Sequence, residues 1–330
     1  MITDKERLIL KIFYDYYVRN MSQTEIAARH FISRPRVQRY LEQGRRDNLV
    51  EVRIRFPERM HGTLESELED KLGLSEAFVA DTGSLGDLAM ARREIAEIAA
   101  DFFLRVLSGN MVISVSWSTF ISEMTGAVQR KTTSRRESAA MIEIVQCMGA
   151  IMDKDPELQV FDSLRRLAAA LNARPHLIGA PGVVTSNEAY NALLDDPQVA
   201  ASLDLARRSD AGFFGIGALE GESNLMRAVR RLFPELPSRL KKMGVVGDMN
   251  GRFFDRSGLP VASELDNRVI GLTLAEVKAL PLSVVVTGGD GKYEALRAVV
   301  RGGLAKAVVI DYDNARRLVE DRSAFGGGNG

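Results

Sequence analysis

The sequence predicts an α/β protein in two parts: a small helix-turn-helix domain with a winged-like strand, then a doubly wound domain built on a parallel sheet. Three observations predict it. From Ala77 to Ile310, short apolar β-rich runs alternate repeatedly with helical stretches, and strand-helix-strand repetition puts helices on both faces of parallel strands. Before that, Met21 to Val50 reads as two short helices joined by a tight turn. Between the two parts, Pro57 and Gly62 punctuate the chain, so the domains are expected at 1–56 and 57–330.

The first helix follows from Leu8, Ile9, Ile12, Phe13 and Tyr16, which recur at helical spacing and supply a packing face. Ser22 is placed to cap the second, with Glu25 three residues on closing a capping box. Ala27 and Ala28 are small enough for a close helix crossing, and the break at His30, Phe31 and Ile32 leads to Ser33 as a new cap, with Pro35 in the first turn. In the third helix Val37, Tyr40 and Leu41 form an apolar stripe, while Arg34, Arg36, Gln38, Arg39, Arg45 and Arg46 lie largely off it. A guanidinium fork can bond a guanine edge at two points or neutralise a phosphate, and glutamine can pair with adenine. Ser33, Arg34, Arg36, Gln38 and Arg39 are therefore the candidate DNA-contacting residues, with Arg36, Gln38 and Arg39 reading bases. Leu49 to Phe56 alternates as a short strand bearing Arg53 and Arg55, a candidate wing. The competing reading is a solvated helix face without a partner.

Charge distribution favours DNA where total charge does not. The chain balances 44 Lys and Arg against 44 Asp and Glu, yet residues 1–56 hold 12 against 7, a net +5 that leaves −5 for the remainder. With 45% apolar residues the chain can bury a sizeable core. Its single cysteine, Cys147, excludes an internal disulfide and a multi-cysteine zinc site, and its neighbours make it a buried packing residue. No apolar run approaches the ~20 residues that span a bilayer, so a cytoplasmic protein without a membrane partner is expected.

In the second part, runs at Ala77–Ala80, Met111–Val115, Ile142–Gln146, His176–Ile178, Gly212–Ile216, Gly244–Val246, Val284–Val286 and Ala307–Ile310 read as strands. Helices are expected at 86–107, up to Val128, near Leu158–Leu171, over Asn187–Arg208 and at Tyr293–Val300. The GGGNG tail reads as disordered. Ligands of such sheets sit beyond the carboxyl ends of the strands, so the residues there are the ones to inspect. They include Ser116-Trp117-Ser118-Thr119, Gly149, Gly215-Ile216-Gly217, Gly247-Asp248 and Gly288-Gly289-Asp290-Gly291-Lys292. Glycine and hydroxyl residues let backbone amides approach an anion or a sugar, and the last loop opens a helix whose N-terminus favours phosphate. Gln146, at a strand end, either faces a ligand or caps a neighbouring turn.

With these motifs in place the chain resembles the SorC/DeoR group of sugar-responsive bacterial transcriptional regulators. The resemblance covers nearly the whole length and is carried by the helix-turn-helix, by 180–219, by GVVGDMNGRFFDRSG at 244–258 and by VVTGGDGKYEALRAVVRGG at 285–303. It implies a sugar-phosphate-isomerase-like effector domain, a sugar, polyol or phosphorylated sugar as effector, operator DNA as partner, a homo-oligomer, tetrameric in assembly, and no cofactor. Carried over by motif position, Ser116, Trp117, Ser118 and Thr119, with Gly289 and Lys292, hold the ligand's phosphate, and Asp248 meets its hydroxyls. Where the family's loop reads W-G-R-T this chain has Trp117-Ser118-Thr119-Phe120, which leaves open an unphosphorylated effector bonded through hydroxyls.

The rival class is an enzyme, since the resemblance implies an isomerase-like body in which Lys292 and Asp248 could act as acid and base. Fold does not imply chemistry. Its histidines argue against this: His30 lies in the first domain, His61 in the linker and His176 in an apolar strand. No catalytic residue and no metal site is expected, and neither a nucleophile elbow nor a Walker loop appears. A DNA-binding protein without an effector is the third reading, separable by a ligand-induced thermal shift.

Overall fold

The computed structural model describes residues 3–47, 49–50, 55–57, 60–82, 88–132, 141–150, 160–221 and 223–321. The chain divides into two compact units, Met1–Phe56 and Pro57–Gly330.

The first unit holds α1 (Asp4–Tyr17), α2 (Gln23–Arg29) and α3 (Arg34–Arg46). Ile9, Ile12 and Phe13 of α1 pack with Ile26 and Ala27 of α2 and with Val37, Tyr40 and Leu41 of α3. The capping box at α2 forms: Ser22 Oγ accepts from the Glu25 amide at 3.3 Å, and Glu25 Oε2 accepts from the Ser22 amide at 2.8 Å. Ser33 takes the cap position of α3, but its hydroxyl makes no capping bond. Where α3 crosses α1, a Cβ on Gly44 would stand 2.3 Å from the Phe13 ring, so only glycine permits that approach. Of the expected wing at Leu49–Phe56, residues 51–54 lie outside the described residues.

The second unit runs α4 (Gly62–Leu72), β1 (Glu76–Ala80), α5 (Leu88–Val106), β2 (Val112–Val115), α6 (Thr119–Thr132), β3 (Glu143–Gln146), α7 (Val160–Leu171) and β4 (Arg174–His176). Then come α8 (Asn187–Leu194), α9 (Pro197–Arg207), β5 (Ala211–Phe214), β6 (Gly217–Ala218), α10 (Asn224–Leu232) and α11 (Leu236–Lys242). It continues through β7 (Val245–Met249), β8 (Arg252–Asp255), α12 (Leu274–Ala279), β9 (Leu282–Val286), α13 (Tyr293–Arg301), β10 (Ala307–Asp311) and α14 (Tyr312–Glu320).

Seven strands form one sheet in the order β1-β10-β9-β5-β2-β3-β4, every neighbouring pair parallel. Alternate residues of each strand face opposite cores. Val285, Val308 and Ile310 join α9, α12, α13 and α14 on one side, while Val284, Val286 and Val309 join α5, α6 and α7 on the other. That is the doubly wound arrangement expected of near-continuous apolar strands. The outer edge of β1 is covered by α4, whose Glu69 and Glu65 carboxylates each accept from a β1 amide, Ala77 and Val79, at 2.9 Å.

Three expectations need correction. The run at Gly244–Val246 is not part of the parallel sheet; it becomes β7, the centre of a separate antiparallel sheet β6-β7-β8. Its Asn250-Gly251 turn makes it a hairpin with β8, and β6 pairs antiparallel with its other edge, so both edges of β7 are filled outside the parallel sheet. The run at His176–Ile178 pairs two residues earlier, at Arg174–His176, and Gly212–Ile216 stops at Phe214. Cys147 is fully buried as expected; its thiol, pushed up by burial, donates to Asn250 Oδ1 at 3.2 Å. Among the described residues no helix is long and apolar enough to cross a membrane.

Candidate functional site

At the carboxyl ends of the parallel strands lies a cavity of about 510 Å³. Ser116 to Phe120 reach it from the end of β2, Gly215 to Gly217 from β5, Gly288 to Asp290 and Lys292 from the end of β9, Asp311 from β10 and Asp313 from α14. The hairpin β7-β8 closes another wall with Asp248 and Asn250, and α5 contributes Arg92 and Ile95.

Glycines make room for its polar groups. A Cβ on Gly217 would fall 1.9 Å from Asp248 Oδ1, and one on Gly215 would fall 2.3 Å from Ser118 Oγ. The Gly-Ile-Gly segment after β5 therefore accommodates the carboxylate and the hydroxyl that flank it. Asp248 is 7% exposed and accepts a long bond from the Gly251 amide, 3.3 Å. Burial raises its carboxyl to about 6, against the opposing pull of the Lys292 charge and the Gly251 amide. Lys292 is held by one bond, its Nζ donating to the Ile216 carbonyl at 2.8 Å, and burial lowers its pKa while Asp248 opposes the shift. The two charges feel one another without forming a close ion pair, which leaves both available to a ligand set between them.

Seven of the eight residues proposed for ligand contact line this cavity: Ser116, Trp117, Ser118, Thr119, Asp248, Gly289 and Lys292. Their free bonding capacity differs. Ser116 Oγ accepts from the Gly215 amide at 2.9 Å, Ser118 Oγ from the Ile121 amide at 3.2 Å, and the Gly289 amide already donates to Asp311 Oδ2 at 2.9 Å. Thr119, exposed at the start of α6, has a hydroxyl with no partner among the described residues. Gln146 stands apart from the cavity: buried at the end of β3, it accepts from the Ile178 amide at 2.9 Å through Oε1. That carbonyl holds the segment that follows β4.

In the first unit Arg34, Arg36, Gln38 and Arg39 are all exposed on α3, opposite its buried stripe. Arg36 lies over the Tyr40 ring and donates to its hydroxyl at 2.9 Å, and Gln38 donates to Glu42 at 3.1 Å. Arg34 and Arg39 have no partner among the described residues.

Residues 60–320 match the Sugar-bind family model, described as "Putative sugar-binding domain". The chain belongs to this family, as a SorC/DeoR-type transcriptional regulator. It is 26% identical over 317 residues to the regulator YjhU of Escherichia coli K12, covering 94% of each chain. To the deoxyribonucleoside regulator of Bacillus subtilis it is 26% identical over 321 residues, covering 97% of this chain and 100% of the relative. The full-length sorbitol operon regulator SorC of Klebsiella pneumoniae shares the fold at a TM-score of 0.72 and 23% identity, over 96% of this chain and 99% of that one. The relatives are transcriptional regulators, not enzymes.

For this SorC/DeoR-type regulator, sequence reasoning missed several polar residues of the cavity, Arg92, Asn250 and Asp311 among them. Arg92 lines it from α5 and has no partner among the described residues; in the sequence it is one of many helical arginines, and no local signal singles it out. Asn250 holds a left-handed backbone, φ +52, and its Asn-Gly step is a legible turn signal. Asp311 ends β10, caps α14 by accepting from the Asn314 amide at 2.9 Å, and could have been read from the apolar run that precedes it. His176, weighed above as a catalyst, is half-buried, pairs with Glu143 at 2.5 Å and is not among the residues that line the cavity.

Proposed function

We propose that this regulator binds a sugar, polyol or sugar phosphate in the cavity beyond the strand ends, and that occupancy alters the affinity of the α1–α3 unit for an operator that controls carbohydrate catabolism. The observation that carries the reading is the pairing of a buried acceptor, Asp248, with two cations that have no acidic partner within bonding distance among the described residues, Lys292 and Arg92, around one cavity. Hydroxyls suit the carboxylate and Thr119. An anionic group suits the two cations, and Arg92 here supplies charge that the Trp117-Ser118-Thr119 loop does not. A helix-turn-helix head covers few base pairs, so an assembly of at least two chains is expected, and a tetramer fits the family resemblance.

Trp117 is the only tryptophan of the chain and lines the cavity, so its fluorescence reports occupancy directly. Titration with pentoses, hexoses, polyols and their phosphates should give a saturable change for one series, strongest for its phosphorylated member. The same ligand should shift affinity for the duplex that the protein selects from a random library, by about 5- to 150-fold for an ordinary coupling. Absence of any saturating ligand, or binding without a change in DNA affinity, would overturn the proposal. Turnover of the bound ligand would instead support an isomerase-like enzyme, and light scattering that gives a monomer with and without DNA would refute the assembly.

A further inference from the structure

Between α2 and α3 stands a side chain that no described residue holds. Phe31 is 95% exposed, the most exposed large apolar residue described, whereas its neighbour Ile32 turns inward onto the helical core. Its backbone is left-handed, φ +55. The other described non-glycine residues with such a backbone are Asn20, Asn172 and Asn250, all of the type whose side chain tolerates it. Phe31 therefore combines an unfavourable backbone with an unfavourably hydrated ring. The backbone belongs to the turn that ends α2, where the Ile32 amide donates to the Ala27 carbonyl at 3.0 Å and the Phe31 amide to Ala28 at 3.4 Å. The turn fixes the ring outward, no described residue covers it, and an exposed ring of this kind points to a contact made with something else.

The surroundings say what that partner is. Two residues on, Ser33 begins α3 with its hydroxyl unused as a cap, and Arg34 and Arg39 have no partner among the described residues. An aromatic ring at the start of a helix rich in uncompensated arginine fits a polyanion with apolar surfaces, and the base-reading part of a recognition helix is its N-terminal end. We propose that Phe31 is a DNA-contacting residue, its ring laid on an apolar part of the operator, a thymine methyl or a deoxyribose, beside the N-terminus of α3. The proposal rests on α3 being the recognition helix.

The test uses the full-length protein, a duplex selected by it from a random library, and fluorescence anisotropy over a salt series. Glycine is favoured at φ +55, so Phe31→Gly should fold with unchanged helicity by circular dichroism and yet bind roughly 5- to 100-fold more weakly, the range of a good base-edge contact. Because no phosphate charge is lost, the salt slope should stay the same. Phe31→Asn, the residue type at the other left-handed positions, should give the same result independently. Replacing each thymine of one half-site by uracil then locates the contact. Weakening at one position for the wild type but not for Phe31→Gly identifies a methyl, and indifference at every position identifies a deoxyribose. Affinity within twofold of the wild type for both variants overturns the proposal. Arg39→Ala, run in parallel, separates the two levels: if it too is silent, the recognition-helix reading has failed, and if it alone weakens binding, only the role of Phe31 has failed.

Discussion

Removing the charge of Asp248 should make the protein more stable and less responsive at once. In the folded state burial lifts this carboxyl from 3.8 to about 6. Over that window the folded protein keeps a proton that the unfolded chain has released, so the group's contribution to stability falls as pH rises and is least favourable above about pH 6. About two pKa units at ~1.36 kcal/mol each give roughly 3 kcal/mol at pH 7, and close to nothing near pH 4, where folded Asp248 is itself neutral. Asp248→Asn removes the charge without changing the shape. For a body of this size the gain corresponds to a rise in Tm of about 5 °C at pH 7. The ligand meanwhile loses a charged acceptor, and effector affinity read from Trp117 should fall about 10- to 150-fold. Calorimetry at pH 4 and pH 7 with ligand-free protein measures the first effect, and fluorescence titration at pH 7 the second. A stability difference that does not change with pH would refute the electrostatic account, and undiminished effector affinity would place the ligand elsewhere.

Other substitutions separate the roles of the remaining residues. Lys292→Ala should leave Asp248 further from ionisation, since the Lys292 charge opposes its upward shift, and should abolish the preference for a phosphorylated ligand in the same titration. Arg39→Ala should weaken binding to the selected duplex by about 1–3 kcal/mol with unchanged circular dichroism, because that side chain has no partner among the described residues. Gln146→Leu should lower stability by about 1–3 kcal/mol in urea unfolding, through the orphaned Ile178 amide, while leaving effector affinity intact; a selective loss of affinity would return Gln146 to the site. Gly44→Ala should destabilise the first unit by about 1–3 kcal/mol by forcing a methyl into the Phe13 ring, and Phe13→Leu in the same chain should recover part of the loss.

What the sequence determined by itself is whatever depends on neighbours along the chain. The Ser22–Glu25 capping box, the Val37-Tyr40-Leu41 stripe and the apolar runs of the parallel strands are local consequences of spacing and side-chain chemistry, and they are found where the spacing places them. Strand alternation also located the cavity, because a parallel sheet gathers the residues after its strands at one edge, and most of the proposed ligand contacts lie there. Asp248 lines the cavity although its sheet was misassigned, since a carboxylate after an apolar run is conspicuous whichever sheet the run joins. Only the tertiary structure decided which bonds are already spoken for. Gln146 accepts from the Ile178 amide, the Gly289 amide belongs to Asp311, and Arg36 rests on Tyr40, all pairings that depend on which elements end up in contact. It also decided that Arg92, on a helix far earlier in the chain than Asp248 and Lys292, shares their cavity. Periodicity sets which face of an element is buried, but the partner across that face is chosen by the packing of the whole sheet, and the charge a ligand meets is fixed only there.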